Sequence, residues 1–269
     1  MLLALKIAVA GKGGVGKTTI VATLARLLGR AGFNVLAIDA DPAMNLAATL
    51  GIPAAVAKTI VPISDNPDLV QERTGARPGE TSGAVFNLTP RVEDLASKFG
   101  VPAPDNTRLL VLGTVKSAGS GCMCPANALL RALLRHVFLQ KGEAVVMDME
   151  AGLEHLGRGV IRGVDALLTI LEPRPSSVQV HRNIAVLAGQ LGIQTIMPVG
   201  NKITDRTEEE FLRREVEASG HKLAAAIPYD VNIVRAEMSH TALLEFAPDA
   251  PSVKIIDDLR QTVIEVLST

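Results

Sequence analysis

The sequence is poor in aromatic residues, and this shortage limits the kind of core it can build. Tryptophan is absent, tyrosine occurs once and phenylalanine six times among 269 residues. Because hydrophobic residues still make up 48% of the chain, the core must be large and built from aliphatic side chains. Such cores are typical of parallel sheets covered by helices on both faces.

An excess of charge of one sign is also lacking. Lys and Arg number 27 against 28 Asp and Glu, so the chain has no general attraction to nucleic acid or anionic lipid. No apolar stretch reaches the length of a membrane span, and the first residues lack the basic region and cleavage site of a secretory signal. We therefore expect a cytoplasmic protein that binds neither nucleic acid nor membrane.

Cysteine is scarce as well, because Cys122 and Cys124 are the only two. A disulfide between residues two apart would be strained, and a reducing compartment argues against a permanent bridge. Pro125 suits the first turn of a helix, and a helix N-terminus favours the thiolate form that binds metals. The alternative interpretation is a pair of small buried hydrophobic residues at a helix start.

What the sequence does contain is an alternation of strand-like and helical segments. The predicted strands are residues 3–10, 34–38, 109–112, 144–149, 166–171, 195–199 and 223–227. The predicted helices are residues 18–30, 126–140, 177–191, 208–218 and 252–267. This alternation predicts an α/β fold with a doubly wound, mostly parallel sheet and helices on both faces.

The segment 51–107 breaks this rhythm, because it is rich in proline and has only short apolar runs. We expect an irregular insertion with one or two short helices packed beside the main sheet. No internal repeat or low-complexity segment is visible, so residues 1–269 are expected to form a single domain.

The first predicted strand leads into a glycine-rich loop with the pattern G-x-x-x-x-G-K-[ST], followed by a helix as that motif requires. Its glycines let backbone N–H groups turn inward around phosphates, and the helix N-terminus adds positive potential. Lys17 supplies a charge to the β- and γ-phosphates, and the Thr18 hydroxyl is a ligand of Mg²⁺. The predicted nucleotide-binding residues of this loop are Gly11, Lys12, Gly13, Gly14, Val15, Gly16, Lys17, Thr18 and Thr19.

Acidic residues at two strand ends complete the predicted Mg²⁺–ATP site. Asp39 and Asp41 follow the second strand, and Asp148 lies at the end of the strand at 144–149. Mg²⁺ prefers few carboxylates and several waters, so Asp148 is expected to act on the ion through water. Asp41 is predicted to belong to the Mg²⁺ site with Thr18 and Asp148, and it is a candidate for orienting or deprotonating the attacking water. For Asp39, capping the following loop and taking part in catalysis are equally supported.

The loop carries a second lysine, Lys12, which an ordinary Walker A motif does not need. The run GKGGVGKTT resembles the deviant Walker A of the MinD/ParA/nitrogenase-iron-protein class of P-loop ATPases. The resemblance implies an ATP-dependent homodimer in which Lys12 reaches the phosphates bound by the other subunit. Lys12 then joins Lys17, Asp41 and Asp148 as a candidate catalytic residue.

Segments elsewhere in the chain resemble the same class. Residues 39–42 and 148–152 resemble its first and second switches. Two further segments resemble its adenine-reading position and the loop that closes over the base. The resemblance therefore implies adenine contacts by Asn201, Lys202, Pro228, Tyr229 and Asp230.

Within the class, residues 122–125 and 150–159 resemble the CooC/AcsF-type maturation ATPases. That resemblance implies nickel insertion into carbon monoxide dehydrogenase or acetyl-CoA synthase, without separating the two clients. In a two-fold dimer, Cys122 and Cys124 of both chains would supply four thiolates, enough to close a Ni²⁺ or Zn²⁺ site. Glu154 and His155 either couple nucleotide state to the thiol loop or only hold the switch by hydrogen bonds.

Two other functions remain open from the sequence. Four bridging thiolates also suit an iron–sulfur cluster carrier. A positioning ATPase of the MinD or ParA kind is less favoured, because its membrane form needs a basic amphipathic C-terminal helix. The last predicted helix instead mixes acidic and basic residues, namely Asp257, Asp258 and Glu265 with Lys254 and Arg260.

Overall fold

One eight-stranded sheet forms the centre of the part of the chain that the structure describes. This computed structural model describes residues 3–41, 43–78, 86–113, 124–135, 140–149 and 163–268. The strands are β1 Leu5–Gly11, β2 Asn34–Ala40, β3 Val101–Ala103, β4 Thr107–Val111, β5 Glu143–Met149, β6 Ala166–Leu171, β7 Ile196–Ile203 and β8 Ala225–Pro228. Their order is β3-β4-β2-β5-β1-β6-β7-β8, and only the β3–β4 pair is antiparallel.

Helices connect the strands. They are α1 Lys17–Arg30, α2 Leu46–Thr49, α3 Ala54–Ala57, α4 Pro67–Thr74, α5 Leu95–Phe99, α6 Cys124–Arg135, α7 Pro175–Gln190, α8 Arg206–Glu217, α9 Val231–Met238, α10 Leu243–Phe246 and α11 Pro251–Ser268. A 3-10 turn lies at Ile63–Asp65. None of the described helices has the length and apolar character needed to cross a membrane.

The central strand β1 shows why helices cover both faces. Its side chains alternate, and every residue from Leu5 to Gly11 is buried. Leu5, Ile7 and Val9 belong to the same core as α1 and α11, whereas Ala8 and Ala10 belong to the core that contains α4, α6 and α7. A strand buried on both sides is almost wholly apolar. The exception in β1 is Lys6, whose buried ammonium donates to the Leu134 carbonyl. The predicted α/β fold with a doubly wound, mostly parallel sheet is confirmed.

The segment 51–107 is more regular than the sequence suggested. It contains the three short helices α3, α4 and α5, not one or two, and the prediction missed strand β3 altogether. Val101 to Ala103 pairs antiparallel with β4 at the edge of the sheet, with Pro102 at its middle position. A three-residue strand containing a proline gives no alternating pattern, and proline is accepted there because β3 is an edge strand.

The sheet is wound in opposite directions from β1, which creates the place for a ligand. β1 lies between β5 and β6 and is parallel to both. In open parallel sheets, ligands bind beyond the carboxyl ends of the strands at the point where the strand order reverses. The predicted phosphate loop is located at this point.

Candidate nucleotide site

The glycine-rich loop joins the carboxyl end of β1 to the first turn of α1. Gly16 precedes α1 with φ at 93°, and the side-chain amide of Asn201 occupies the space that a Cβ would need. Only glycine fits such a backbone comfortably. Lys17 begins the helix, is 6% exposed, and its Nζ donates to the Lys12 carbonyl at 3.4 Å. The loop therefore presents a helix N-terminus and a lysine at the carboxyl end of β1, as phosphate binding requires.

Thr18 and Asp148 meet beside this loop. Asp148 is fully buried in β5, opposite Val9 of β1, and the Thr18 hydroxyl donates to its Oδ2 at 2.6 Å. The second carboxylate oxygen, Oδ1, is buried and has no hydrogen-bond partner among the described residues. A buried oxygen without a partner is costly, and a hydrated cation would satisfy it. These two side chains fit the predicted Mg²⁺ site.

The pKa values of the buried carboxyl groups are consistent with a cation site. Burial raises the pKa of Asp148 to about 7; the Thr18 hydrogen bond opposes this shift, and the charge on Asp39 reinforces it. Asp39 lies opposite Asp148 in register, and burial raises its pKa to about 6 against the hydrogen bonds it accepts. A cation bound beside them would favour the charged forms and so lower both pKa values.

Asp39 and Asp41 have different surroundings. Both oxygens of Asp39 accept backbone N–H groups, one from Asp41 and one from Leu46, each at 3.1 Å. Asp39 therefore shapes the turn between β2 and α2, which favours the capping interpretation. Asp41 is partly exposed, accepts the Ala43 N–H at 2.9 Å, and lies on the wall of the cavity beside the phosphate loop. Asp41 is therefore open to solvent in this cavity, whereas Asp39 is fully buried.

A cavity of about 620 Å³ adjoins the phosphate loop. Its far wall comes from α9 and from the segment leading into α10, with side chains that the sequence did not single out. These include Ile233, Ala236, Glu237, His240 and Leu243. They belong to no motif, and their contribution depends only on where the fold places α9. The cavity extends beyond the phosphate loop, but its lining does not include the residues predicted to contact adenine.

The predicted adenine contacts lie beyond the carboxyl ends of the strands, on the same side of the sheet as the phosphate loop. Asn201 Nδ2 donates to the Val15 carbonyl at 2.7 Å, and Lys202 Nζ donates to the Gly14 carbonyl at 2.6 Å. Both side chains therefore contact the phosphate loop itself in this structure. Their contact with adenine stays a prediction.

The remaining predicted adenine residues follow β8. Pro228 ends that strand, and Tyr229 is 55% exposed. Asp230 is buried, accepts the Asn232 N–H at 2.9 Å and the Ser252 hydroxyl at 2.7 Å, and so caps α9 and anchors α11. Asp230 thus holds in place the helix that lines the cavity.

Lys12, the second lysine of the loop, is exposed, and its Nζ donates to the Ser176 hydroxyl at 3.1 Å. An exposed side chain can reach a second molecule, but the contact across a dimer stays a prediction.

The proposed thiol site is only partly covered by the structure. Cys122, Glu154 and His155 lie outside the described residues, and the side chain of Cys124 is not described. Helix α6 does begin at Cys124, as expected for a helix start beside the pair. Across the described ranges, no group of three or more His, Cys, Asp or Glu side chains is arranged to hold a metal. The shared thiol site stays a prediction.

Comparison with solved structures supports the same fold. The septum site-determining protein MinD of Pyrococcus horikoshii, complexed with Mg-ADP, superposes with a TM-score of 0.69 at 18% identity, covering 97% of this chain and 96% of that one. The cell division ATPase MinD of Pyrococcus furiosus gives 0.69 at 21% identity, covering 99% and 100%. Identities this low show the fold alone.

Sequence comparison identifies the family. Residues 6–244 match the CobQ/CobB/MinD/ParA nucleotide binding domain. The carbon monoxide dehydrogenase accessory protein CooC of Rhodospirillum rubrum is 45% identical over 244 residues, 91% of each chain. The ATP-binding protein MJ0823 of Methanocaldococcus jannaschii is 40% identical over 98% of this chain and 100% of its own. The chain therefore belongs to the CobQ/CobB/MinD/ParA family of nucleotide-binding domains, in the group that resembles CooC.

Proposed function

We propose that this protein hydrolyses ATP with Mg²⁺, dimerises on binding ATP, and uses this cycle to assist nickel insertion into carbon monoxide dehydrogenase or acetyl-CoA synthase. The contact between Thr18 and Asp148 is the observation that best supports hydrolysis. A phosphate can be bound by the loop alone. A threonine hydroxyl and a buried carboxylate at this position are the groups that organise a hydrated Mg²⁺ for phosphoryl transfer.

Each side chain at the site then has a defined task. The loop N–H groups and the Lys17 ammonium bind the β- and γ-phosphates, and Thr18 and Asp148 hold the ion with its water. Mg²⁺, when bound, neutralises charge on the phosphate oxygens. The partly exposed carboxylate of Asp41 orients the attacking water and accepts its proton.

The hydrolysis proposal is tested by Mg²⁺-dependent phosphate release from Lys17→Ala and Asp148→Ala. Each should lose about 100-fold or more of the turnover, since both remove charge organised around the transferred group. The fold should survive in Asp148→Ala. Burial raises the pKa of this carboxyl group, so the charged group is unfavourable for the folded state and its removal should cost little stability. Lys254→Ala, an exposed lysine on α11, is the matched control. Wild-type turnover in Lys17→Ala would refute the assignment.

The nickel role is supported by the similarity to CooC, whose name describes an accessory protein of carbon monoxide dehydrogenase. Nickel is the cargo in this proposal, carried between two chains by Cys122 and Cys124 of each. The position of α6 supports the idea, since this helix starts at Cys124. Both client enzymes remain within the proposal, because the motifs that suggest one suggest the other.

A further inference from the structure

Two consecutive side chains of β7 contact the phosphate loop. Asn201 donates to the Val15 carbonyl and Lys202 to the Gly14 carbonyl, at 2.7 and 2.6 Å. In a regular strand, successive side chains point to opposite faces of the sheet. Neighbouring residues can therefore serve the same loop only if the strand is distorted between them.

The structure contains that distortion. The pairing of β7 with β8 shifts register between Gly200 and Ile203, and Lys202 has φ at 59°, in the left-handed region. That conformation is unfavourable for a residue with a side chain and persists where its surroundings hold it. Irregularities of this kind redirect a side chain beside a functional site. Here the redirected group is the ammonium of Lys202.

Glu172 holds this ammonium from the other side. It follows the last residue of β6, is half-buried, and its Oε1 lies 2.7 Å from Lys202 Nζ. Its own backbone N–H donates to the Ser177 hydroxyl at 3.0 Å, which fixes it to the start of α7. The Lys202 ammonium thus lies between a carboxylate and a loop carbonyl.

We propose that Glu172 and Lys202 are positioning residues of the phosphate loop. Glu172 fixes Lys202, and Lys202 with Asn201 holds the carbonyls of Gly14 and Val15 away from the phosphates. In a trans peptide the next N–H points opposite to the carbonyl, so the N–H groups of Val15 and Gly16 turn into the loop. The Val15 N–H donates to the Lys12 carbonyl, on the opposite side of its peptide from the Gly14 carbonyl, at 3.4 Å.

This arrangement matters because the loop is rich in glycine and has many alternative conformations. Held in one conformation before the nucleotide arrives, it loses less entropy on binding. The inference rests on the proposed function and deepens it by naming residues that prepare its phosphate site. ATP and ADP both place a β-phosphate in the loop. Loss of the contact between Glu172 and Lys202 should therefore weaken the binding of both nucleotides alike.

The proposal is tested by measuring the binding of MgATP and MgADP to Glu172→Gln and Lys202→Met with titration calorimetry. Each variant should bind both nucleotides about tenfold more weakly, as expected for loss of a charged hydrogen bond. The double variant should bind nucleotide no more weakly than Lys202→Met alone, because both changes remove the same Glu172–Lys202 contact. Lys202→Arg, which keeps a charged donor, should recover part of the affinity.

The matched control is Arg174→Gln. Arg174 is exposed and lies 3.7 Å from the other oxygen of Glu172, so its loss should leave both affinities unchanged. The melting temperature without nucleotide should stay at the wild-type value in every variant. Wild-type affinity in Glu172→Gln, or affinity that falls only together with melting temperature, would overturn the proposal. Wild-type protein that binds MgATP without turnover would instead refute hydrolysis and leave this inference standing.

Discussion

At the scale of single residues, the structure decides between the two environments that the sequence allows for His181. The sequence gives it no ligand spacing and predicts a surface residue or a hydrogen-bonded core residue. It is 1% exposed, with Thr169 Oγ1 2.8 Å from Nδ1 and the ring of His221 edge-on at 5.3 Å. Nε2 is buried and has no partner in the described ranges. Burial, together with the charges of His221 and Arg182, lowers the pKa of His181 to about 4.

A pH-dependent loss of stability follows from this shift. The unfolded-state pKa is near 6.5 and the folded-state value near 4, so the unfolded chain takes up the proton first as pH falls. The contribution of neutral His181 is present above pH 6.5 and lost toward pH 4. Relative to His181→Gln, wild type should lose up to about 3 kcal/mol of unfolding free energy across this window.

Urea unfolding at several pH values measures this difference directly. His240→Asn is the control, because His240 is exposed and has positive φ, which asparagine tolerates. Its pH dependence should match that of wild type. An identical slope in His181→Gln and wild type would contradict the assigned shift.

The residues of the phosphate site show how much a sequence can predict. The sequence singled out Lys17, Thr18 and Asp148 because the chemistry fixes both their identity and their place next to a strand or helix end. The structure brings Thr18 and Asp148 into contact, and their roles stay predictions. Glu172 was not found, since a glutamate after a strand has no distinguishing spacing. Its role depends on the distortion at Lys202, which arises from pairing between distant strands.

At the scale of elements, segments that are buried throughout were predictable and segments with little buried surface were not. β6 has the predicted bounds, 166–171, because both of its faces are buried and Thr169 is the one polar residue in an otherwise apolar run. α9 was missed, and Ala236 is its only fully buried residue. Its apolar residues Val231, Val234 and Met238 are exposed, and eight residues are too few for a clear helical period. Yet α9 lines the cavity, so the part of the site furthest from the motifs was the least predictable.

Two helical glycines should respond in opposite ways to alanine. A Cβ on Gly29 of α1 would collide with the Asp105 carbonyl in the turn between β3 and β4, whereas Gly189 of α7 has no such neighbour within 4 Å. Alanine normally stabilises a helix interior by about 1 kcal/mol relative to glycine. Gly189→Ala should therefore stabilise the protein by up to that amount, and Gly29→Ala should destabilise it by about 1–3 kcal/mol. Urea unfolding of the two variants measures this contrast, and stabilisation of both would show that the turn moves away freely.

At the scale of the whole molecule, the proposed dimer is best tested through Lys12. This exposed lysine donates to Ser176 and makes a small contribution to the fold of one chain. Lys12→Ala should keep nucleotide binding but lose the ATP-induced dimer, because its proposed contact lies across the interface. Asp41→Ala should trap an ATP-bound dimer that hydrolyses slowly. Size-exclusion chromatography with MgATP separates these outcomes, and normal dimerisation of Lys12→Ala would remove the cross-subunit role.

The thiol pair would give the proposed dimer a chemical purpose, because one chain offers only two cysteine thiols. If Cys122 and Cys124 of two chains form one site, the reduced protein should bind one Ni²⁺ or Zn²⁺ per dimer, with sulfur-to-nickel charge-transfer bands for nickel. Binding should weaken as pH falls, since protons compete for the thiolates. An iron–sulfur cluster would instead give visible absorption in the protein as isolated. That result would favour the function of an iron–sulfur cluster carrier.

Linkage between metal and nucleotide then follows from the shared dimer. If ATP promotes dimerisation, the metal must promote it too, and each must tighten binding of the other by the same factor. Cys122→Ser or Cys124→Ser should lose the metal and this coupling but keep nucleotide binding, because the phosphate loop lies on a different connection of the sheet. Titration of the reduced protein with nickel, with and without MgATP, measures both quantities. Tight binding of one metal per monomer, unchanged by either substitution, would show that the thiols are ordinary packing residues and that no shared site exists.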